Sequence, residues 1–170
     1  ARVGDRLPAP GVGGAMTYTL LIDGLSGSGK TTLANHIGSV LGIQVVHLDD
    51  FYPGWGGLAE GARMVADDVL DPVAPGFWRW DWEHNRRAEW VPLVPGADLV
   101  VEGVGAVTEA SISKAKARGD FNTLRVVAEE EMRKARALQR DPGYAPWWDM
   151  WAEQEKLLPT LPVDVEVRRV

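Results

Sequence analysis

The chain has 170 residues, 45% of them hydrophobic and 25% charged, which is typical of one globular domain with a real core. No apolar run approaches the roughly 20 residues of a membrane span, the start lacks the layout of a signal peptide, and the absence of cysteine excludes disulfides, thiolate metal sites and cysteine catalysis. The net charge of −6 argues against nucleic-acid binding. Taken together, these features predict a cytoplasmic protein without nucleic-acid or membrane partners.

Strand-like and helix-like segments alternate along the chain. Residues 1–15 are rich in Gly and Pro, which predicts a flexible N-terminal arm. The predicted elements are a strand at 17–23, a helix from Lys30 that ends on Gly42, a strand at 43–50, a helix at 57–70, two short strands within 71–97, a strand at 97–103, a helix at 108–119, a strand at 123–128, helices at 129–140 and 145–158, and a strand at 163–170. This order predicts an α/β fold with a mostly parallel central sheet flanked by helices, formed by residues 16–170 as a single domain.

The stretch GLSGSGKT fits the phosphate-loop pattern G-x-x-x-x-G-K-[ST], directly after a predicted strand and at the start of a predicted helix. Glycines allow the backbone N–H groups to point at phosphate oxygens, and the helix aims its positive end at the same anion. Lys30 would reach the outer phosphates and the Thr31 hydroxyl would bind Mg²⁺. A glycine turn with a surface lysine is the alternative. The predicted nucleotide-binding residues are Gly24, Ser26, Gly27, Ser28, Gly29, Lys30, Thr31 and Thr32.

Acidic residues stand at the ends of two predicted strands. Asp49 and Asp50 close the strand at 43–50, and Glu102 lies near the end of the strand at 97–103. In an open α/β sheet, ligands bind beyond the carboxyl ends of the strands, which would bring these acids close to Lys30. A carboxylate there can accept a proton from a substrate hydroxyl or support a metal ion. Alternatively, the two aspartates only cap the turn in DDFYPG.

These motifs resemble the uridine kinase group of P-loop kinases, whose relatives include nicotinamide riboside kinase, pantothenate kinase and phosphoribulokinase. The similar segments are GLSGSGKTT, LDDFYPGW, VVEG and EMRKARALQRD. The resemblance implies a P-loop NTPase fold of the nucleoside-kinase type, with ATP and Mg²⁺ as cofactors. It also implies that Asp49 is the base for the acceptor hydroxyl and that Glu102 supports the metal.

The same resemblance assigns two further regions. It implies an acceptor-binding insertion at about 51–97, in which Tyr52 and Asp81 contact the substrate, and a lid at about 129–145. In the lid, Arg133 would bind ATP, and Arg136 and Arg140 would be catalytic because they neutralise charge on the phosphoryl group in transit. A solvated helix face is the alternative for these arginines.

Tryptophan is unusually frequent, with eight residues that all follow position 54. They serve either as buried packing area or as a stacking wall for a planar or sugar-like ligand. If residues 78–82 form one strand, Trp78, Trp80 and Trp82 share a face opposite Arg79 and Asp81. We expect the three rings to pack inward, because burial favours them most, and Asp81 to face the acceptor.

The leading functional hypothesis is an ATP-dependent kinase acting on a hydroxyl of a nucleoside or similar small metabolite. One alternative is a nucleotide-binding switch, although the guanine-reading N-K-x-D stretch of GTPases is absent from the sequence. Another is an ATP-binding protein with a degenerate acceptor site. The sequence leaves open the acceptor, the choice of ATP or GTP, and the oligomeric state.

Overall fold

The computed structural model describes residues 17–170, so the predicted arm at residues 1–15 lies outside the described part. The strands are β1 (Thr17–Asp23), β2 (Gln44–His47), β3 (Gly76–Asp81), β4 (Arg86–Pro92), β5 (Leu99–Glu102), β6 (Gly119–Val127) and β7 (Val165–Arg168). The helices are α1 (Lys30–Leu41), α2 (Leu58–Met64), α3 (Glu109–Arg118), α4 (Glu130–Arg140) and α5 (Trp148–Leu157). No helix in residues 17–170 is both long and apolar enough to cross a membrane.

A central sheet of 5 strands organises the molecule, in the order β2-β5-β1-β6-β7, with every neighbouring pair parallel. β3 and β4 form a separate antiparallel hairpin inside the predicted insertion. Parallel neighbours require crossover connections, and these place helices on the faces of the sheet. The predicted α/β fold with a parallel central sheet is therefore confirmed.

The core divides into two layers, one on each face of the sheet. In β1, the side chains of Tyr18, Leu20 and Ile22 pack on one face together with Ala34 of α1. Leu21 points to the other face, where the core includes residues from α2, α3 and α5. This alternation follows from the two-residue repeat of a strand. Because β1 is buried on both faces, the loop that follows it starts from a rigid base.

Several element boundaries differ from the predicted ones. β6 begins at Gly119, four positions before the expected start, because it pairs with β1 from Thr17 onward. Gly119 has φ 149°, and a Cβ there would lie 2.5 Å from the Thr17 carbonyl oxygen, so only glycine fits the sharp change from α3 to β6. The predicted helix at 57–70 continues past α2 as one wide π turn, and the start of the predicted helix at 145–158 is a 3₁₀ segment, residues 142–147.

Candidate active site

The phosphate loop, residues 24–29, connects β1 to α1 at the carboxyl edge of the sheet. α1 begins at Lys30, so its first backbone N–H groups face the loop. Gly27 and Gly29 have φ of 80° and 96°, in the left-handed region that favours glycine. The Ser28 hydroxyl is buried and has no hydrogen-bond partner in the described residues. An anion bound in this loop would face the backbone N–H groups of the loop and the positive end of α1, so the loop fits a phosphate.

Asp23, the last residue of β1, fixes the base of the loop. Its carboxylate accepts hydrogen bonds from the backbone N–H groups of Gly24 at 2.7 Å, Gly105 at 3.1 Å and Val107 at 2.9 Å. The connection that leaves β5 is thereby tied to the start of the phosphate loop. Hydrogen bonds to a charged acceptor are among the stronger ones in proteins, so this junction is rigid.

The two predicted metal-binding residues meet beside the loop. The Thr31 hydroxyl donates to Glu102 Oε1 at 3.0 Å, and Glu102, at the end of β5, is only 2% exposed. His47 Nδ1 lies 2.6 Å from the same carboxylate oxygen, and this hydrogen bond raises the pKa of His47. Within residues 17–170, no group of three or more His, Cys, Asp or Glu side chains is arranged to hold a metal. The hydroxyl and carboxylate oxygens nevertheless fit Mg²⁺, which takes few protein ligands and keeps water and phosphate oxygens.

Asp49 and Asp50 follow β2 in a 3₁₀ turn, Leu48–Asp50, rather than ending the strand. Asp49 lines the same cavity as Lys30, and its backbone carbonyl accepts a hydrogen bond from Trp82 Nε1 at 2.8 Å. Asp49 is an exposed residue whose carboxylate opens into the cavity, where the surrounding protein displaces part of its water. This desolvation raises the pKa of Asp49, although Lys30 opposes the rise. Asp50 does not line the cavity.

The cavity has a volume of about 670 Å³ and is lined by the phosphate loop and by an aromatic wall. The wall is formed by Tyr52, Trp55, Trp82, Tyr144 and Trp151. The ring of Trp55 lies 5.0 Å from that of Trp82 and 4.9 Å from that of Tyr144, and the rings of Tyr52 and Trp151 meet edge to face at 4.8 Å. Large fixed rings of this kind suit a planar ligand or the apolar face of a sugar.

The three predicted lid arginines of α4 have different surroundings. Arg140 lines the cavity together with Asp49. Arg133 is buried and donates to the carbonyls of Ala128 and Ser26, both at 3.2 Å, so it supports the phosphate loop from outside the cavity. Arg136 is half-buried and does not line the cavity. Among the three, the structure therefore brings only Arg140 to the site.

The two predicted substrate-binding residues, Tyr52 and Asp81, also have different surroundings. The Tyr52 hydroxyl donates to the Val104 carbonyl at 2.6 Å, and burial holds the pKa of this tyrosine well above its ordinary value, so only its ring contributes to the wall. Asp81 accepts hydrogen bonds from the backbone N–H of His84 at 3.1 Å and from His84 Nδ1 at 2.9 Å. Asp81 closes the hairpin turn and does not line the cavity.

The expectation that Trp78, Trp80 and Trp82 all pack inward is wrong. A β-bulge between Trp78 and Trp80 interrupts the alternation of β3, and Trp78 and Trp82 are each 37% exposed. Trp78 packs on Trp90, with the Arg87 guanidinium 4.5 Å from its ring centre, whereas Trp82 joins the cavity wall. Tryptophan therefore serves in part as packing area and in part as lining of the cavity.

Sequence reasoning missed three residues at the phosphate loop. Glu155 accepts a hydrogen bond from the Ser26 N–H, Tyr144 donates to the Ser26 hydroxyl, and the Arg169 guanidinium lies beside Gly29. Each is more than 100 positions from its partner, and no local pattern of the sequence marks any of them.

Neither a protein-family model nor a curated protein matches the sequence. Solved structures do match. A candidate fructose transport system kinase from Silicibacter sp. TM1040 is 18% identical with a TM-score of 0.63, covering 96% of this chain and 94% of that one. A candidate uridine kinase from Bacillus stearothermophilus is 21% identical with a TM-score of 0.53, covering 92% and 91%. The APS kinase of Mycobacterium tuberculosis, solved with AMPPNP and APS, is 17% identical with a TM-score of 0.50, covering 91% and 90%.

The chain has the P-loop kinase fold. It spans nearly the full length of these structures, which confirms the fold implied by the resemblance to the uridine kinase group. Identities this low establish the fold alone, because one fold serves many acceptors and reactions. Within the P-loop kinase fold, the choice of reaction rests on the cavity residues.

Proposed function

We propose that this chain is an ATP-dependent kinase that transfers the γ-phosphoryl group to a hydroxyl of a small, uncharged metabolite of the nucleoside type. The observation that carries the proposal is a single cavity that is lined by Lys30 and Thr31 at the phosphate loop, by Asp49 and by an aromatic wall. A triphosphate at the loop and a planar acceptor at the wall would meet at Asp49.

Asp49 is the proposed general base. In the transfer, a bond forms between the acceptor oxygen and the γ-phosphorus, the bond to the β-phosphate oxygen breaks, and the hydroxyl proton moves to Asp49. The raised pKa of Asp49 supports this role, because a base of higher pKa accepts the proton more readily. Its fixed carbonyl bond to Trp82 supports a defined position for the carboxylate.

Lys30 and Arg140 are the proposed electrostatic partners. Both are cationic side chains that line the cavity, and they would stabilise charge on the phosphoryl oxygens during transfer. Thr31 and Glu102 are the proposed metal site, and a Mg²⁺ ion held there would neutralise charge on the phosphates. AMPPNP, an ATP analogue, is bound in the APS kinase structure, which supports ATP as the donor.

The charges around the cavity support an uncharged acceptor. Beyond the residues assigned to the phosphates, the charged side chains that line it are Asp49, Glu83 and Asp141, all acidic. An acceptor carrying a carboxylate or phosphate would lack a cationic partner there and would be repelled by these acids. A nucleoside instead offers a planar base for the aromatic wall and a hydroxyl for Asp49.

A measurement of ADP release tests the proposal. Purified protein with ATP and Mg²⁺ is assayed against nucleosides, the anionic compound pantothenate and simple sugars. We expect a nucleoside to raise ADP release well above the rate without acceptor, and pantothenate to leave it unchanged. The matched control is Lys30→Ala, which should remove the acceptor-dependent signal and thereby exclude a contaminating kinase.

Two outcomes would contradict the proposal. ATP binding without acceptor-stimulated turnover across the panel would favour the protein with a degenerate acceptor site. Fast turnover of an anionic acceptor would refute the charge reasoning while leaving the kinase reaction in place.

A further inference from the structure

Ser26 is the position where the phosphate loop is tied to the C-terminal third of the molecule. Its N–H donates to Glu155 Oε2 at 2.8 Å, its carbonyl accepts from Arg133 Nη1 at 3.2 Å, and its hydroxyl accepts from Tyr144 at 3.0 Å. All four residues are buried. The three partners lie 107 to 129 positions along the chain, and each uses a different polar group of one serine.

Glu155 is an unusual residue to find in this place. A buried carboxylate is costly, and burial raises its pKa. It also lies beside a loop built for a polyanion, where a second negative charge opposes binding. The positive charges of Lys30 and Arg133 offset part of this cost. The hydrogen bond that Glu155 accepts from the Ser26 N–H is the contact that ties it to the phosphate loop.

The position of Glu155 on α5 also matters. Trp151 lies one helical turn earlier on α5, at the i,i+4 spacing that places two side chains on one face. Trp151 belongs to the aromatic wall of the cavity, whereas Glu155 holds the phosphate loop. One rigid helix therefore sets the distance between the wall and the loop.

We propose that Glu155 is a positioning residue for nucleotide binding, which holds the Ser26 N–H and keeps the phosphate loop in its anion-binding shape with the help of Tyr144. Ser26 is then an anchor of the loop and not a ligand of the phosphates, which revises its predicted role. This inference rests on the proposed kinase function only in taking ATP as the bound nucleotide. The hydrogen bonds that hold Ser26 are present in the protein without nucleotide.

The test compares Glu155→Leu, which removes the acceptor oxygen, with Glu155→Gln, which retains one. Glu153→Leu is the matched control, because Glu153 lies on the same helix but is exposed and paired with Lys156. Amide hydrogen exchange at Ser26 and calorimetric affinity for ATP-Mg²⁺ are measured in the full chain. For Glu155→Leu we expect Ser26 exchange to accelerate about tenfold and nucleotide affinity to fall about tenfold relative to Glu155→Gln, because both variants lose the negative charge and only leucine also loses the hydrogen-bond acceptor. Glu155→Gln should stay within about threefold of wild type in both, since its amide oxygen still accepts the bond.

A second variant covers the case in which Glu155→Leu does not fold. Tyr144→Phe keeps the ring of the wall and removes only the hydroxyl that donates to Ser26, and we expect about threefold faster exchange at Ser26 with a similar loss of affinity. Wild-type exchange at Ser26 in Glu155→Leu, or in Tyr144→Phe where Glu155→Leu does not fold, would overturn the proposal. Accelerated exchange with wild-type affinity would also overturn it, because the anchor would then not serve nucleotide binding. If wild-type protein binds no ATP, the kinase proposal fails, whereas the exchange data still decide whether the anchor exists.

Discussion

Two separate variants, Asp49→Asn and Asp50→Asn, test which aspartate is the base. The second variant is the control for the first. Asp49 and Asp50 occupy the same 3₁₀ turn, and both substitutions keep the size of the side chain while removing its charge. Only Asp49 lines the cavity with Lys30. The charged neighbours of Asp50 are His47, Glu102 and Arg79. The main difference between the two variants is therefore that the lost carboxylate lines the cavity in Asp49→Asn and does not in Asp50→Asn.

The expected loss can be derived from the role of a general base. Such a group contributes about 10²–10⁴-fold to the rate, which corresponds to about 2.7–5.4 kcal/mol of transition-state stabilisation. We expect the loss in Asp49→Asn to appear in kcat, because an amide oxygen can still accept a hydrogen bond from the hydroxyl but does not take its proton. ATP affinity should be equal to or slightly above that of wild type, since a negative charge near the phosphates is removed. Asp50→Asn should retain kcat within about threefold.

Steady-state ADP release with the acceptor found in the panel gives kcat and KM for each variant, and calorimetry gives the affinity for ATP-Mg²⁺. Circular dichroism before the assay checks that both variants are folded. A near-normal Asp49→Asn enzyme together with a crippled Asp50→Asn enzyme would refute the assignment and show that the motif is aligned one residue out.

Lys30→Ala should abolish measurable ATP-Mg²⁺ binding by calorimetry and change the thermal melt little, because the proposed role of this cationic side chain is at the phosphates and its hydrogen bond to the Leu25 carbonyl is long, at 3.4 Å. Trp151→Ala should lower the free energy of unfolding in urea by about 3–5 kcal/mol, against about 1 kcal/mol for Trp78→Ala, since the side chains are 4% and 37% exposed. Asp81→Ala should leave the KM for the acceptor unchanged, because its carboxylate closes the hairpin turn, and a raised KM would return it to the site. The pH profile of kcat should rise through an acid limb above the ordinary pKa of an aspartate, because desolvation raises the pKa of Asp49 and the base must be ionised to act. A limb at the ordinary value would contradict the role of desolvation.

The phosphate loop could be identified from the sequence because its chemistry is local. Eight consecutive residues contain the glycines, the lysine and the threonine, and the strand and helix on either side are short-range patterns. Thr31 and Glu102 could also be expected to lie close together. Thr31 follows β1 and Glu102 ends β5, and these two strands are buried on both faces and adjacent in the sheet. In an open parallel sheet, the carboxyl ends of neighbouring strands converge on one edge.

Other parts of the site depend on contacts that no local pattern encodes. The bulge between Trp78 and Trp80 breaks the strict alternation on which the inward face was predicted, and Trp82 lies beyond the end of β3. Asp81 is used within its own hairpin turn. Arg133 belongs to a helix that the resemblance to the uridine kinase group assigns to a lid, yet its guanidinium donates to the Ser26 carbonyl of the loop.

The amino-acid sequence by itself therefore determined the nucleotide loop, the order of strands and helices and the α/β class, because backbone propensity and side-chain periodicity act over a few residues. The tertiary structure alone decided which aromatic rings form the wall and that Glu155 reaches Ser26 across 129 positions. These depend on the strand order β2-β5-β1-β6-β7 and on the packing of α4 and α5 against it. Periodicity specifies the face of an element, but the partner on that face is chosen when the whole sheet assembles.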